Sequence, residues 1–121
     1  MSAEIIPWYE GAEHLFDQTI PQREMWRIAD RGPAAVLVRI DTGAGVGHVL
    51  IDVVSDRLGR DVEMLAFQGY GIVIDVDAFM SEVARGLDCD GVRAFSSRRG
   101  WGRVLPGLGW SVAGELWRRR V

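Results

Sequence analysis

The chain has 121 residues, enough for one domain with a buried core. Its hydrophobic fraction of 48% and charged fraction of 26% are those of an ordinary water-soluble protein. A net charge of −3 gives no general attraction to nucleic acid or to an anionic membrane, and no apolar run reaches the roughly 18 residues a spanning helix needs.

The first ten residues, MSAEIIPWYE, lack a basic flank followed by an apolar core, so no secretory leader is expected. Cys89 is the single cysteine and has no internal disulfide partner, which suits a reducing compartment. All 14 basic residues are Arg. With 15 Gly and abundant Val and Ala, that composition is one of a GC-rich genome, bacterial or viral. It also leaves no Lys to act as a Schiff base or phosphate anchor.

Residues 3–8 read as a first strand or an extended entry. Over residues 10–20, Leu15, Phe16, Thr19 and Ile20 fall at helical spacing, and Pro21 ends the run. A second helical stretch covers residues 22–30, with Met25, Trp26 and Ile28 as its apolar positions. Arg31-Gly32-Pro33 is a turn. Residues 34–40 form a strand with Val36, Val38 and Ile40 on one face, and Asp41 to Gly45 make a hairpin loop. Strands over residues 46–54 and 61–67 complete an antiparallel meander. The Gly69-Tyr70-Gly71 stretch breaks it. Asp77 is the expected N-cap of the next helix, with Met80, Val83, Ala84 and Leu87 as its buried stripe. Val92 to Phe95 is a short strand, expected to lie parallel to the one ending at Phe67 because a strand–helix–strand unit crosses over right-handed.

The segment from Cys89 to Trp110 carries most information. A short apolar run leads to a basic helical piece that ends in Leu108-Gly109-Trp110. Gly109 fits the left-handed position after a helix, and Trp110 the first buried position of the next strand. This ending, with the order of elements before it, resembles the GCN5-related N-acetyltransferase (GNAT) superfamily over nearly the whole chain. The fold implied is α/β (α+β): one domain, residues 1–121, with a mixed central sheet, an antiparallel meander and flanking helices.

The resemblance implies a pyrophosphate loop for acetyl-CoA between the fourth strand and the following helix. It aligns on Ala66 to Gly71, where the two glycines match. Ala66 stands where the family has Arg or Gln, and Gln68 comes two residues late. With the helix expected to start at Asp77, its N-terminus falls several residues beyond the loop. Asp75 and Asp77 then put negative charge where a pyrophosphate would lie. Many family members place a proton-donating Tyr four residues before the turn glycine; Leu105 stands there. Glu63 is the one candidate for a general base. Its alternative is a solvent-facing acid on a half-buried strand. In an enzymatic reading, Gly69, Tyr70 and Gly71 surround acetyl-CoA and Glu63 is the base; otherwise no cofactor is expected. His14, His48 and Cys89 lack metal-ligand spacing.

The C-terminal end interleaves Arg98, Arg99, Trp101, Arg103, Trp117, Arg118, Arg119 and Arg120. Arg and Trp together are the residues of strong protein interfaces. The run Arg-Arg-Gly-Trp-Gly-Arg-Val-Leu is similar to small GNAT-like proteins of tailed bacteriophages, including internal virion proteins of podophages. That similarity implies a non-catalytic assembly component bound to other particle proteins, in the virion or the host cytoplasm. The overall acidity argues against nucleic acid as the partner.

Overall fold

A computed structural model of the chain describes residues 1–69, 73–94, 101–113 and 116–121. The strands are β1 (Ser2–Ile6), β2 (Val36–Asp41), β3 (Val46–Asp56), β4 (Gly59–Gln68), β5 (Gly91–Ala94), β6 (Ser111–Ala113) and β7 (Leu116–Arg120). The helices are α1 (Met25–Arg31), α2 (Val73–Gly86) and the single turn α3 (Trp101–Val104). The strands form one seven-stranded sheet in the order β1-β2-β3-β4-β5-β7-β6. β2 pairs antiparallel with both β1 and β3, and β7 with both β5 and β6. β4 and β5 run parallel and are joined by α2. This is a mixed α+β fold with the expected parallel pair. The chain packs as two compact units, Met1–Asp52 with Leu65–Val76, and Val53–Met64 with Asp77–Val121.

The N-terminal unit is built on the β2–β3 hairpin. Thr42 N–H donates to the Gly45 carbonyl, and the Asp41 carboxylate accepts from Gly43 N–H at 2.9 Å, which closes the loop. Leu37 and Leu50 face each other across the hairpin. They enter a core cluster with Ala12, Phe16, Ile28 and Ala66. The helix expected over residues 10–20 is only a 3₁₀ turn, Ala12–Phe16. Past it the Phe16 carbonyl takes three donors, the N–H groups of Thr19 and Ile20 and the Thr19 hydroxyl. The sequence pattern did place the anchor correctly, since Phe16 is wholly buried. Trp26 is not part of that stripe. It is 70% exposed on α1, whose buried positions are Met25 and Ile28.

The helix α2 differs from expectation at both ends. It begins at Val73, not at Asp77. Asp77 lies inside the helix and is buried, on the same face as Met80, Ser81 and Ala84. An amphipathic helix beginning four residues early turns the expected cap into a core position. At the other end Leu87 lies past the last helical residue and is exposed. Asp88 takes the left-handed conformation there, with φ +54°. Its N–H donates to the Arg85 carbonyl and that of Cys89 to Ala84, a Schellman exit with Asp in the place usually taken by Gly. The exit from the 3₁₀ turn Leu105–Leu108 repeats this geometry. Gly109 has φ +88°, its N–H donates to Pro106 and that of Trp110 to Leu105. Leu105 and Trp110 are both buried, as the two ends of this motif often are. Beyond Trp110 the chain forms two paired strands rather than one. β7, and not β6, pairs with β5.

Truncating Phe16 to Ala should cost about 3–5 kcal/mol of unfolding free energy. Trp26→Ala should stay within about 0.5 kcal/mol of wild type, as exposed substitutions do. Urea denaturation of both variants checks the pair.

Candidate functional site

Parallel β4 and antiparallel β7 flank β5 in a fixed register. Glu63, Arg93 and Arg118 stand in one row across the three strands, and Asp61, Gly91 and Arg120 in the next. Alternate residues of a strand share a face, so both rows lie on one face of the sheet. Gly91 decides what happens there. A Cβ on it would overlap the Arg119 carbonyl and crowd Asp61 Oδ1 and Arg118 Nη2. Because none is present, the Asp61 carboxylate reaches both arginines. Arg93 Nε donates to Asp61 Oδ2 at 2.9 Å, and Arg118 donates to both oxygens at 2.7 and 2.8 Å. Arg93 uses its other two nitrogens on Asp56, at 2.6 and 2.9 Å.

Asp61 has no exposed surface, and Arg93 is nearly as buried. Burial alone would raise the Asp61 carboxyl, but hydrogen bonds from Arg118 and then Arg93 outweigh it, and the group sits below its ordinary value. Hydrogen bonding to Arg93 holds Asp56 well below the usual carboxylate range. The same contacts push both guanidiniums further above theirs, Asp56 acting most on Arg93 and Asp61 on Arg118. Asp90 closes the near end of this network. Its carboxylate accepts from Arg60 N–H at 2.8 Å, and its carbonyl accepts from Val121 N–H at 2.9 Å.

The opposite face of β7 carries Arg119. Its Nη1 donates to the Leu108 carbonyl at 3.3 Å, and its Nη2 lies 3.2 Å from Asp77 Oδ1, off the angle of a good hydrogen bond. The same Asp77 oxygen accepts Trp110 Nε1–H at 2.6 Å. This clasp ties α2, the Leu-Gly-Trp turn and β7 together. Asp77 is therefore held by an indole and a guanidinium from within the unit.

The residues singled out from sequence fall into three groups. Arg118 and Arg119 pair with acids of their own unit, and Glu63 is 6% exposed in the row with Arg93. Arg103 and Arg120 are exposed, and Trp117 is half-buried opposite Ala94. Tyr70, Gly71, Arg98 and Arg99 lie outside the described residues, as does the side chain of Trp101. Gly69 directly follows β4. Glu63 is thus not the solvent-facing acid that strand alternation suggested, because the face it occupies is the charged row and that row is buried. Sequence reasoning missed Asp56, Asp61 and Arg93, and took Asp77 for a helix cap. The available clue was Arg93 within a four-residue apolar strand, since a buried Arg demands carboxylate partners. Among the described residues no cluster of His, Cys, Asp and Glu could hold a metal ion, and no helix is long and apolar enough to cross a membrane. No protein-family model matches the chain, and no curated protein matches it either.

Replacing Asp61 by Asn should destabilise the protein by about 3–5 kcal/mol, since it strands two guanidiniums in a buried site. Both Asp56 and Asp61 have depressed folded-state values. Their contribution is therefore complete above the unfolded carboxylate pKa of about 4 and fades as pH falls below it. Denaturant midpoints measured from pH 3 to 7 should show this acid loss in wild type and less of it in Asp61→Asn.

Proposed function

We propose that this chain is a GNAT-like protein with a degenerate acyl-CoA site that works as a structural or assembly component, in a bacteriophage particle. The observation that carries the reading is the acid in the first turn of α2: Asp75 stands at the helix N-terminus, where the resemblance implies a cofactor phosphate. Leu105, at the position of the family's proton donor, is a buried core residue. Glu63 stands in a buried ionic row rather than at an open surface. Both positions that would carry acyl-transfer chemistry are buried within the C-terminal unit.

The partner face of this reading lies on the surface that unit leaves exposed. Arg103 and Arg120 keep their charges in water, and Val112 on the edge strand β6 is exposed. Exposed Arg is enriched at protein interfaces relative to the rest of the surface. Arg118 and Arg119 are poor probes of it, because removing either breaks the internal pairs.

One observation favours acetyl-CoA-dependent N-acetyltransfer as a second reading. Because α2 starts at Val73, its N-terminus follows the Gly69-Tyr70-Gly71 stretch closely, and helix N-termini attract phosphate. Asp75 in the first turn opposes this.

Two measurements test the proposal. Acetyl-CoA at about 100 times a real dissociation constant would stabilise the fold by about 2.7 kcal/mol. We expect no saturable thermal shift and no acetylation of amines; either result would favour the enzyme. The Arg103→Ser/Arg120→Ser variant should fold normally and incorporate poorly into particles assembled with the remaining virion proteins. Normal incorporation would move the contact elsewhere.

A further inference from the structure

β1 ends the sheet. β2 takes one of its edges, and among the described residues no strand covers the other. Four of its five residues are exposed, with Ile5 at 72%. Natural edge strands are usually blunted by Lys, Pro, a bulge or shortness. β1 has no Lys and carries Glu4 as its one charge, its Pro7 falls after the strand, and its pairing with β2 runs without interruption from Ser2 to Ile6. The opposite end of the sheet, β6, spans only Ser111–Ala113. β1 is therefore the longer open edge, and its free N–H and C=O groups are a template for another strand.

We propose that the strand it takes is β1 of a second copy, paired antiparallel about a two-fold axis at Ala3, so that the two sheets become continuous. The register is set by elementary constraints. A two-fold axis perpendicular to the sheet keeps each face, so the axis must pass through a residue and not between two. Centring on Glu4 overlaps the strands fully but sets Glu4 against Glu4 of the partner subunit, and like charges directly opposite repel. Centring on Ile5 sets Ala3 against a proline, which has no N–H to donate, and the Glu4 carboxylate against an isoleucine. Centring on Ala3 removes both faults. The Ser2 hydroxyl then stands opposite a carboxylate that it can donate to, twice by symmetry. Met1 and Ile5, both largely exposed in the single chain, cover each other twice on the other face.

A standard stable interface buries about 1,600 Å² in total, more than two short strands supply. The association is therefore of the weak, concentration-dependent kind. It uses only the N-terminal unit, so it stands or falls separately from the assembly role proposed above.

Disulfide trapping on the full chain tests the register. Residues directly opposite in an antiparallel pair have Cα atoms about 4.5–5.5 Å apart, within the disulfide range of about 4.4–6.8 Å. Ala3→Cys should give a covalent dimer under mild oxidation. Glu4→Cys and Ile5→Cys, each out of register with itself, should not. The native Cys89 is buried and gives a low background. Sedimentation equilibrium on wild type should show a reversible dimer, and Ile5→Lys should weaken it by more than about tenfold. Its thermal unfolding should be unchanged, because Ile5 is exposed. A wild-type chain that stays monomeric at the highest concentrations, or trapping that favours Glu4→Cys or Ile5→Cys, overturns the proposal.

Discussion

One carboxylate organises the C-terminal unit. Asp61 is fully buried, yet it is charged, and two arginines from two other strands converge on it. An isolated ion there would cost several kcal/mol, so β4, β5 and β7 must come together as a set or not at all. That condition explains why β5 is buried along its whole described length. It contributes Gly91 to make room and Arg93 to supply charge, and Asp56 then satisfies the rest of the Arg93 fork. Lys would not serve at Arg93, because it lacks the planar fork that serves two carboxylates at once.

The C-terminal basic run is best understood from the same row. Three consecutive arginines look from sequence like one patch. In a strand they alternate, so Arg118 and Arg120 share a face and Arg119 takes the other. The two faces offer different acids, Asp61 and Asp77, drawn from β4 and α2. A charge run thus becomes two internal ties and one exposed cation.

Much of the architecture was legible in the chain. Apolar alternation placed the β2–β3 hairpin, and the crossover rule placed β5 parallel to β4. The Leu-Gly-Trp turn was legible because a left-handed residue between two buried ones has a strong local preference for Gly. Helix limits were not. Asp77 looked like a cap because caps favour Asp, but its partners, Trp110 and Arg119, come from 33 and 42 residues further on. Long-range ionic pairing leaves no periodic trace. For the same reason Asp61 and Arg93 could not be matched from sequence, nor could Glu63 be recognised as buried. The sites expected at Tyr70, Gly71, Arg98 and Arg99 fall outside the described residues.

The alternation of β7 has a consequence for how the strand finds its place. If it slid by one residue, Arg119 would arrive opposite Arg93 and Arg120 would take the other face, so the run would still offer a guanidinium to each acid. Attraction between charges therefore cannot distinguish the right alignment from its neighbour. Trp117 can, since the slide would carry its half-buried ring off the apolar face it shares with Ala94 and onto the face that bears the ions. The Val121 N–H bond to the Asp90 carbonyl adds a second check at the far end. Strength and uniqueness are thus divided in this strand: the arginines supply the grip, and an aromatic ring with one backbone bond decides where it closes.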